Sequence, residues 1–170
     1  MLRGVVGDEA FWRGIRDYYR QHQNENASTD DFRRAMEEAS GRELGWFFDQ
    51  WLTRGGMLKV QSRWACDPAA GEVRLDVEQR QAGPPYRMPI EVELEIEGQA
   101  EPHLEGIELP GTRGIFTIPL AREPRSLVLD PRIFVLIDAE TTRVQSAVPA
   151  RASPPWGPWG GPVTRARRVC

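Results

Sequence analysis

Apolar residues recur at helical intervals over the first third of the chain and then switch to strict alternation. In EAFWRGIRDYYRQH, Phe11, Ile15, Tyr18 and Tyr19 keep the spacing of one helix face, with Asp8 and Glu9 in the first turn, where carboxylates suit the helix dipole. A helix from about Asp8 to His22 follows, ended by the polar run Gln23 to Asn26. Ser28 or Thr29 then caps a second helix, whose Phe32, Ala35, Met36 and Ala39 face inward and which breaks at Ser40-Gly41. A third, from about Arg42 to Thr53, carries Leu44, Phe47, Phe48, Trp51 and Leu52 as one wide stripe, stopped by Gly55-Gly56. A helix of about three turns is marginal alone, because nucleation is costly. The stripe therefore needs a partner surface, in this chain or outside it.

From Met57 the period is two. Leu58, Val60, Ser62 and Trp64 alternate with polar residues, as do Val73, Leu75 and Val77, with the turn cluster Asp67 to Gly71 between them. The clearest strand is Pro89 to Glu97, where Ile90, Val92, Leu94 and Ile96 face one way and Glu91, Glu93, Glu95 and Glu97 the other, as in a half-solvated antiparallel sheet. Further strands are expected around Ile107 to Leu109, Gly114 to Leu120, Ser126 to Leu129 and Ile133 to Ile137. The fold class is α+β: a short amino-terminal helical layer over residues 1–56, then an antiparallel immunoglobulin-like β-sandwich of about seven strands over 57–146. Beyond it, 147–170 turns to Pro, Gly, Ala and Arg and reads as a disordered tail.

Charge and cysteine content narrow the function classes. A net charge of -3, with the one basic cluster (Arg165, Arg167, Arg168) in the tail, argues against a nucleic-acid binder, which needs a basic face. Cys66 and Cys170 are too few for a disulfide framework and lack thiolate-metal spacing, so free thiols are expected. No apolar run is long enough for a membrane span, and the first residues lack a signal-peptide hydrophobic region. The reading is of a soluble chain that carries no address to a compartment.

A family resemblance rests on Met1-Leu2-Arg3, Gly7 with Phe11, Tyr18 or Tyr19, Thr29-Asp30-Asp31-Phe32, Ala39-Ser40-Gly41 with Leu44, and Phe47-Phe48 with Trp51. In that order, and followed by a sandwich pattern, these residues resemble the end of the catalytic domain of the gluzincin aminopeptidases, the membrane alanyl aminopeptidase family of zinc peptidases. The resemblance implies that 1–56 is the helical end of a thermolysin-like domain and that the strands from Leu58 onward form the sandwich that follows it. Met57 departs from the pattern, standing where these proteins often have a proline.

Peptidases of this family bind zinc through an HExxH helix and a further glutamate, and hold the substrate amino terminus with a glycine-rich motif. Two His one turn apart bind the metal while the Glu activates its water. This chain has two histidines, His22 and His103, and neither lies in HExxH. The resemblance places the missing motifs upstream of Met1. It implies a carboxy-terminal portion of a zinc aminopeptidase that is itself inert and structural, with zinc and peptide substrate belonging to the parent.

The remaining candidates read as structural. His22 suits a helix C-terminus on electrostatic grounds, and His103 has no second ligand beside it. The Glu91, Glu93, Glu95, Glu97 row does not converge as a calcium loop does, and reads as a solvated face paired with Arg74 or Arg80. Phe47, Phe48 and Trp51 read as core rather than as a ligand cage, and the tail's PxxP spacings as composition. Nothing near Cys66 in sequence lowers its pKa, and no GxSxG or phosphate-cradling loop is present. No catalytic, cofactor-binding or metal residue is assigned. A second class of function is a free-standing sandwich module that binds another protein. In either case the expected partner, upstream domain or separate protein, meets the aromatic face of the helices.

Overall fold

The computed structural model describes residues 1–109 and 111–144, and the backbone alone at 163–165. The chain divides into two units, Met1–Gly56 and Met57–Cys170.

The first unit holds four helices: α1 (Leu2–Val6), α2 (Asp8–His22), α3 (Thr29–Ser40) and α4 (Gly45–Thr53). Ser28 caps α3 in a full capping box: its hydroxyl accepts from Asp31 N–H, and the Asp31 carboxylate accepts from Ser28 N–H at 2.9 Å. Gly41 closes that helix at φ +65°, a left-handed position that glycine takes without penalty. Helices α2 and α3 approach closely at Gly14, where an added Cβ would lie 2.8 Å from Met36 Sδ. Buried Ala35, Met36 and Ala39 form the α3 side of that contact layer.

The third predicted helix starts later than its pattern suggested. Glu37 Oε1 accepts Leu44 N–H at 2.8 Å and Glu43 Oε1 accepts Gly45 N–H at 2.9 Å, so side chains rather than a helical turn satisfy the entry. Arg42 and Glu43 consequently stay outside α4, and Leu44 becomes its cap. Helix α1 was not anticipated: five residues are too few for a periodic signal.

The second unit carries β1 (Leu58–Asp67), β2 (Glu72–Gln79), β3 (Pro89–Ile96), β4 (His103–Glu108), β5 (Arg113–Pro119), β6 (Pro124–Leu129), β7 (Ile137–Arg143) and β8 (Val163–Arg165). They form a five-stranded sheet, β7-β1-β2-β5-β8, and a three-stranded sheet, β4-β3-β6. Most neighbours are antiparallel, but β1 pairs with β7, and β5 with β8, in parallel. The alternation in β3 is realised: Ile90, Val92, Leu94 and Ile96 are buried, each contributing roughly 1.5–3 kcal/mol of apolar burial. Across the larger sheet Leu75 stands opposite both Trp64 and Phe116, all three buried at the centre of the core.

Two strand expectations need correction. The strand read around Ile107 to Leu109 starts earlier, as β4 from His103 to Glu108. The strand read at Ile133 to Ile137 begins only at Ile137. Asp130 takes Phe134 N–H and Val135 N–H on its two carboxylate oxygens, at 2.9 and 2.8 Å, and Asp130 and Ile133 both adopt φ +54°. A side-chain cap thus fixes as a loop a stretch whose β-branched and aromatic residues favour extension. Finally, the expected disordered tail lies outside the described residues except for β8. There Val163 and Thr164, two β-branched residues, extend the edge of β5, whose backbone groups need partners.

Candidate functional site

The aromatic residues of the helical unit are joined in a series, edge to face except for the tilted last pair. Tyr18 meets Phe32 with ring centroids 5.2 Å apart, Phe32 meets Phe48 at 6.1 Å, Phe48 meets Phe47 at 5.6 Å, and Phe47 meets Trp51 at 6.5 Å. Such tilted pairs each add about 0.5–1.5 kcal/mol beyond area burial. The stripe is neither sealed nor open: Phe47 is buried, while Phe11, Tyr18, Phe48 and Trp51 are half-buried. Two residues assigned inward are not there. Tyr19 is 69 % exposed and Leu52 64 %, because a helix face about 100° wide cannot bury both flanks of a doubled apolar pair.

The open surface includes a residue the sequence pattern did not single out. Trp12 is 48 % exposed, lies one residue outside the Phe11 stripe and shares a face with Tyr19 two turns on. The Arg3 guanidinium sits 5.7 Å from the Trp12 ring centroid while ion-pairing with Asp8, and that pair holds the guanidinium above its ordinary range. The exposed strip of Trp12 and Tyr19, with half-buried Ile15 between them, can bind an apolar surface. It contains no chemistry for bond cleavage.

The two histidines belong to different units. His22 ends α2 and tilts against Tyr18 at 5.1 Å, whereas His103 is in the other unit, with Nε2 3.2 Å from Glu105 Oε1. Among the described residues no group of three or more His, Cys, Asp and Glu could hold a metal ion. The glutamate row of β3 is ion-paired, but not with Arg74 or Arg80. Arg132 reaches Glu91 at 2.7 Å, Arg125 reaches Glu97, and Ser126 donates to Glu95. Arg80 instead binds Glu78 and Gln61, its neighbours in the other sheet.

Cys66 is buried in β1, and burial, with Glu123 adding to it, pushes its thiol up. The expected outcome is that Ellman's reagent at pH 8 leaves Cys66 unmodified in the folded protein and titrates it after unfolding in guanidinium, read on a Cys170→Ser chain. Rapid modification of the folded form would contradict the raised thiol. The basic cluster and the PxxP spacings of the tail lie outside the residues whose side chains are described.

No helix among the described residues is long and apolar enough to cross a membrane. Residues 1–51 match the peptidase family M1 domain. The chain is 43 % identical over 62 residues to an aminopeptidase N of Lactococcus lactis subsp. lactis, covering 36 % of this chain and 7 % of the relative. It is 29 % identical over 100 residues to an aminopeptidase N of Escherichia coli K12, covering 57 % and 11 %. A crystal structure of Legionella pneumophila aminopeptidase A in complex with aspartic acid shares the fold with a TM-score of 0.67 at 16 % identity, over 82 % of this chain and 16 % of that one. The chain thus spans about a tenth of the length of the curated relatives it matches.

Proposed function

We propose that this chain, whose residues 1–51 match the peptidase family M1 domain, is the carboxy-terminal portion of a zinc aminopeptidase, contributing helical packing and a β-sandwich while other sequence binds metal and substrate. One observation carries this reading: the similarity covers a family domain's helices and the following sandwich, yet the sequence has no HExxH. In the parent, zinc would polarise a water that attacks the first peptide bond of a peptide substrate. Among the described residues no group of three or more candidate ligands for that ion is present. Its own residues supply the exposed Trp12 and Tyr19 on α2, here proposed to meet the upstream catalytic part.

The purified 170-residue chain, given zinc, is expected to retain none after dialysis and to leave an aminoacyl-arylamide uncleaved. Reading the coding DNA upstream is expected to reveal HExxH, in frame or frameshifted. Zinc-dependent turnover by the chain alone would refute the proposal. A second reading, a free-standing sandwich module that binds another protein, draws on the ring series from Tyr18 to Trp51, which gives the helical unit packing of its own. It is favoured if the upstream DNA encodes no such motif and the chain is a monomer that does not bind a hydrophobic dye.

A further inference from the structure

Of the three arginines on α2, Arg13 ion-pairs with Glu9 and Arg20 with Asp17. Arg16 is exposed and has no hydrogen bond or ion pair to another described residue. It follows Trp12 by four residues and precedes Tyr19 by three, so the exposed strip reads apolar, cationic, apolar along one helix face. Arg3, beside the Trp12 ring, is already held by Asp8. From Trp12 to Tyr19 the helix rises about 10.5 Å.

The outer face of the three-stranded sheet carries the same pattern with the opposite charge. Glu93 on β3 stands opposite Leu104 on β4 and Val128 on β6, and directly opposed residues share a face. Leu104 is 40 % exposed and Val128 44 %, whereas Val92 and Leu94, on either side of Glu93 in sequence, are buried on the inner face. The rest of the β3 glutamate row is engaged, Glu91 by Arg132, Glu95 by Ser126 and Glu97 by Arg125. Glu93 has no such partner among the described residues. Two strand spacings put the Leu104 and Val128 positions about 9.5 Å apart, close to the rise between the two exposed aromatics of α2.

We propose that these two faces recognise each other between copies of this chain, with α2 of one copy lying across β4-β3-β6 of a second. Arg16 then meets Glu93, while Trp12 and Tyr19 cover Leu104 and Val128. Each face alone is a small apolar area, and what selects this pairing is that the two agree in sign, order and length. An exposed ion pair adds little by itself, so the apolar contacts supply the attraction and the charges fix the register and reject other arrangements. Helix and sheet are different surfaces, which makes the contact heterologous. Where an upstream catalytic part covers α2, as proposed above, it displaces the second copy, so the two contacts exclude each other. The pairing shares the Trp12 and Tyr19 strip with that reading but does not rest on it, since the upstream coding DNA decides the one and self-association the other.

Sedimentation equilibrium of the whole chain is expected to show an average mass that rises with protein concentration and falls as salt is added. Arg16→Glu and Glu93→Arg each set like charges against one another, and each should weaken association by about tenfold or more. In an equimolar mixture of the two variants every helix can meet a sheet of opposite charge, so association should return. That recovery separates a contact between copies from one within a single chain. A chain that stays monomeric at every concentration, an association that either reversal leaves unchanged, or a mixture that does not recover overturns the pairing. Should a reversal fail to fold by circular dichroism, Arg16→Gln and Glu93→Gln replace it. Each of these removes the attraction without adding a repulsion and should still weaken association measurably, and an unchanged association again overturns the proposal.

Discussion

Phe116→Ala is expected to lower the unfolding free energy of the sandwich by about 3–5 kcal/mol, the usual cost of truncating a fully buried aromatic ring. Phe116 is completely buried in β5, opposite Leu75 and two residues from Gly114 on the same face. An added Cβ at Gly114 would stand 2.9 Å from the Phe116 ring, so the ring occupies the space that glycine leaves open. A cavity therefore forms between a strand backbone and the core, where collapse is limited. Typical domains hold about 5–15 kcal/mol in total, so the loss is a large fraction of what is available. Urea unfolding followed by far-UV circular dichroism measures it, with half-exposed Thr117→Ala as a control shifted by less than about 0.5 kcal/mol. A Phe116→Ala loss below about 1 kcal/mol would mean the core repacks, contrary to this geometry.

Asp130→Ala should cost about 2–4 kcal/mol, because two backbone N–H groups, of Phe134 and Val135, lose their acceptors at once. Asp130 is itself buried, and its own N–H donates to Glu91 O at 2.7 Å, tying the loop to β3. Asn, which keeps one oxygen, should lose roughly half as much. The same loop makes an opposite prediction at Ile133. It sits at φ +54° and is 85 % exposed, so it bears the strain of a β-branched residue in a left-handed conformation without burial in return. Ile133→Gly should be neutral or stabilising, by up to about 1 kcal/mol. Equal losses for Ala and Asn at Asp130, or a destabilised Ile133→Gly, would show that the loop is held by something other than this carboxylate.

These two loci also show where sequence reading succeeds and where it stops. Helix α2 runs from Asp8 to His22 as its periodicity and acidic first turn indicated, and the Ser28 cap and β3 alternation are present because each is a local rule satisfied locally. The run Ile133 to Ile137 is equally local in appearance, yet a carboxylate several residues earlier overrides its propensity. Glu105 was legible in principle: His103, Glu105 and Ile107 keep period two, so the face that buries Ile107 buries Glu105 as well. The exposure of Trp12 was not legible, since periodicity ranks faces but does not say which of two adjacent aromatics turns outward.

One topological feature bears on how the protein is made. Strand β1 is flanked by β2, close in sequence, and by β7, which pairs with it in parallel from Leu58 opposite Ile137 to Trp64 opposite Arg143. A ribosome releasing the chain therefore delivers the first strand long before its second neighbour exists. Until Arg143 clears the exit tunnel, the nascent chain presents an unpaired β1 margin to whatever is nearby, and closing so long a loop is slow once it does. A lag in acquiring native structure during synthesis is expected from the parallel pairing of β1 with β7.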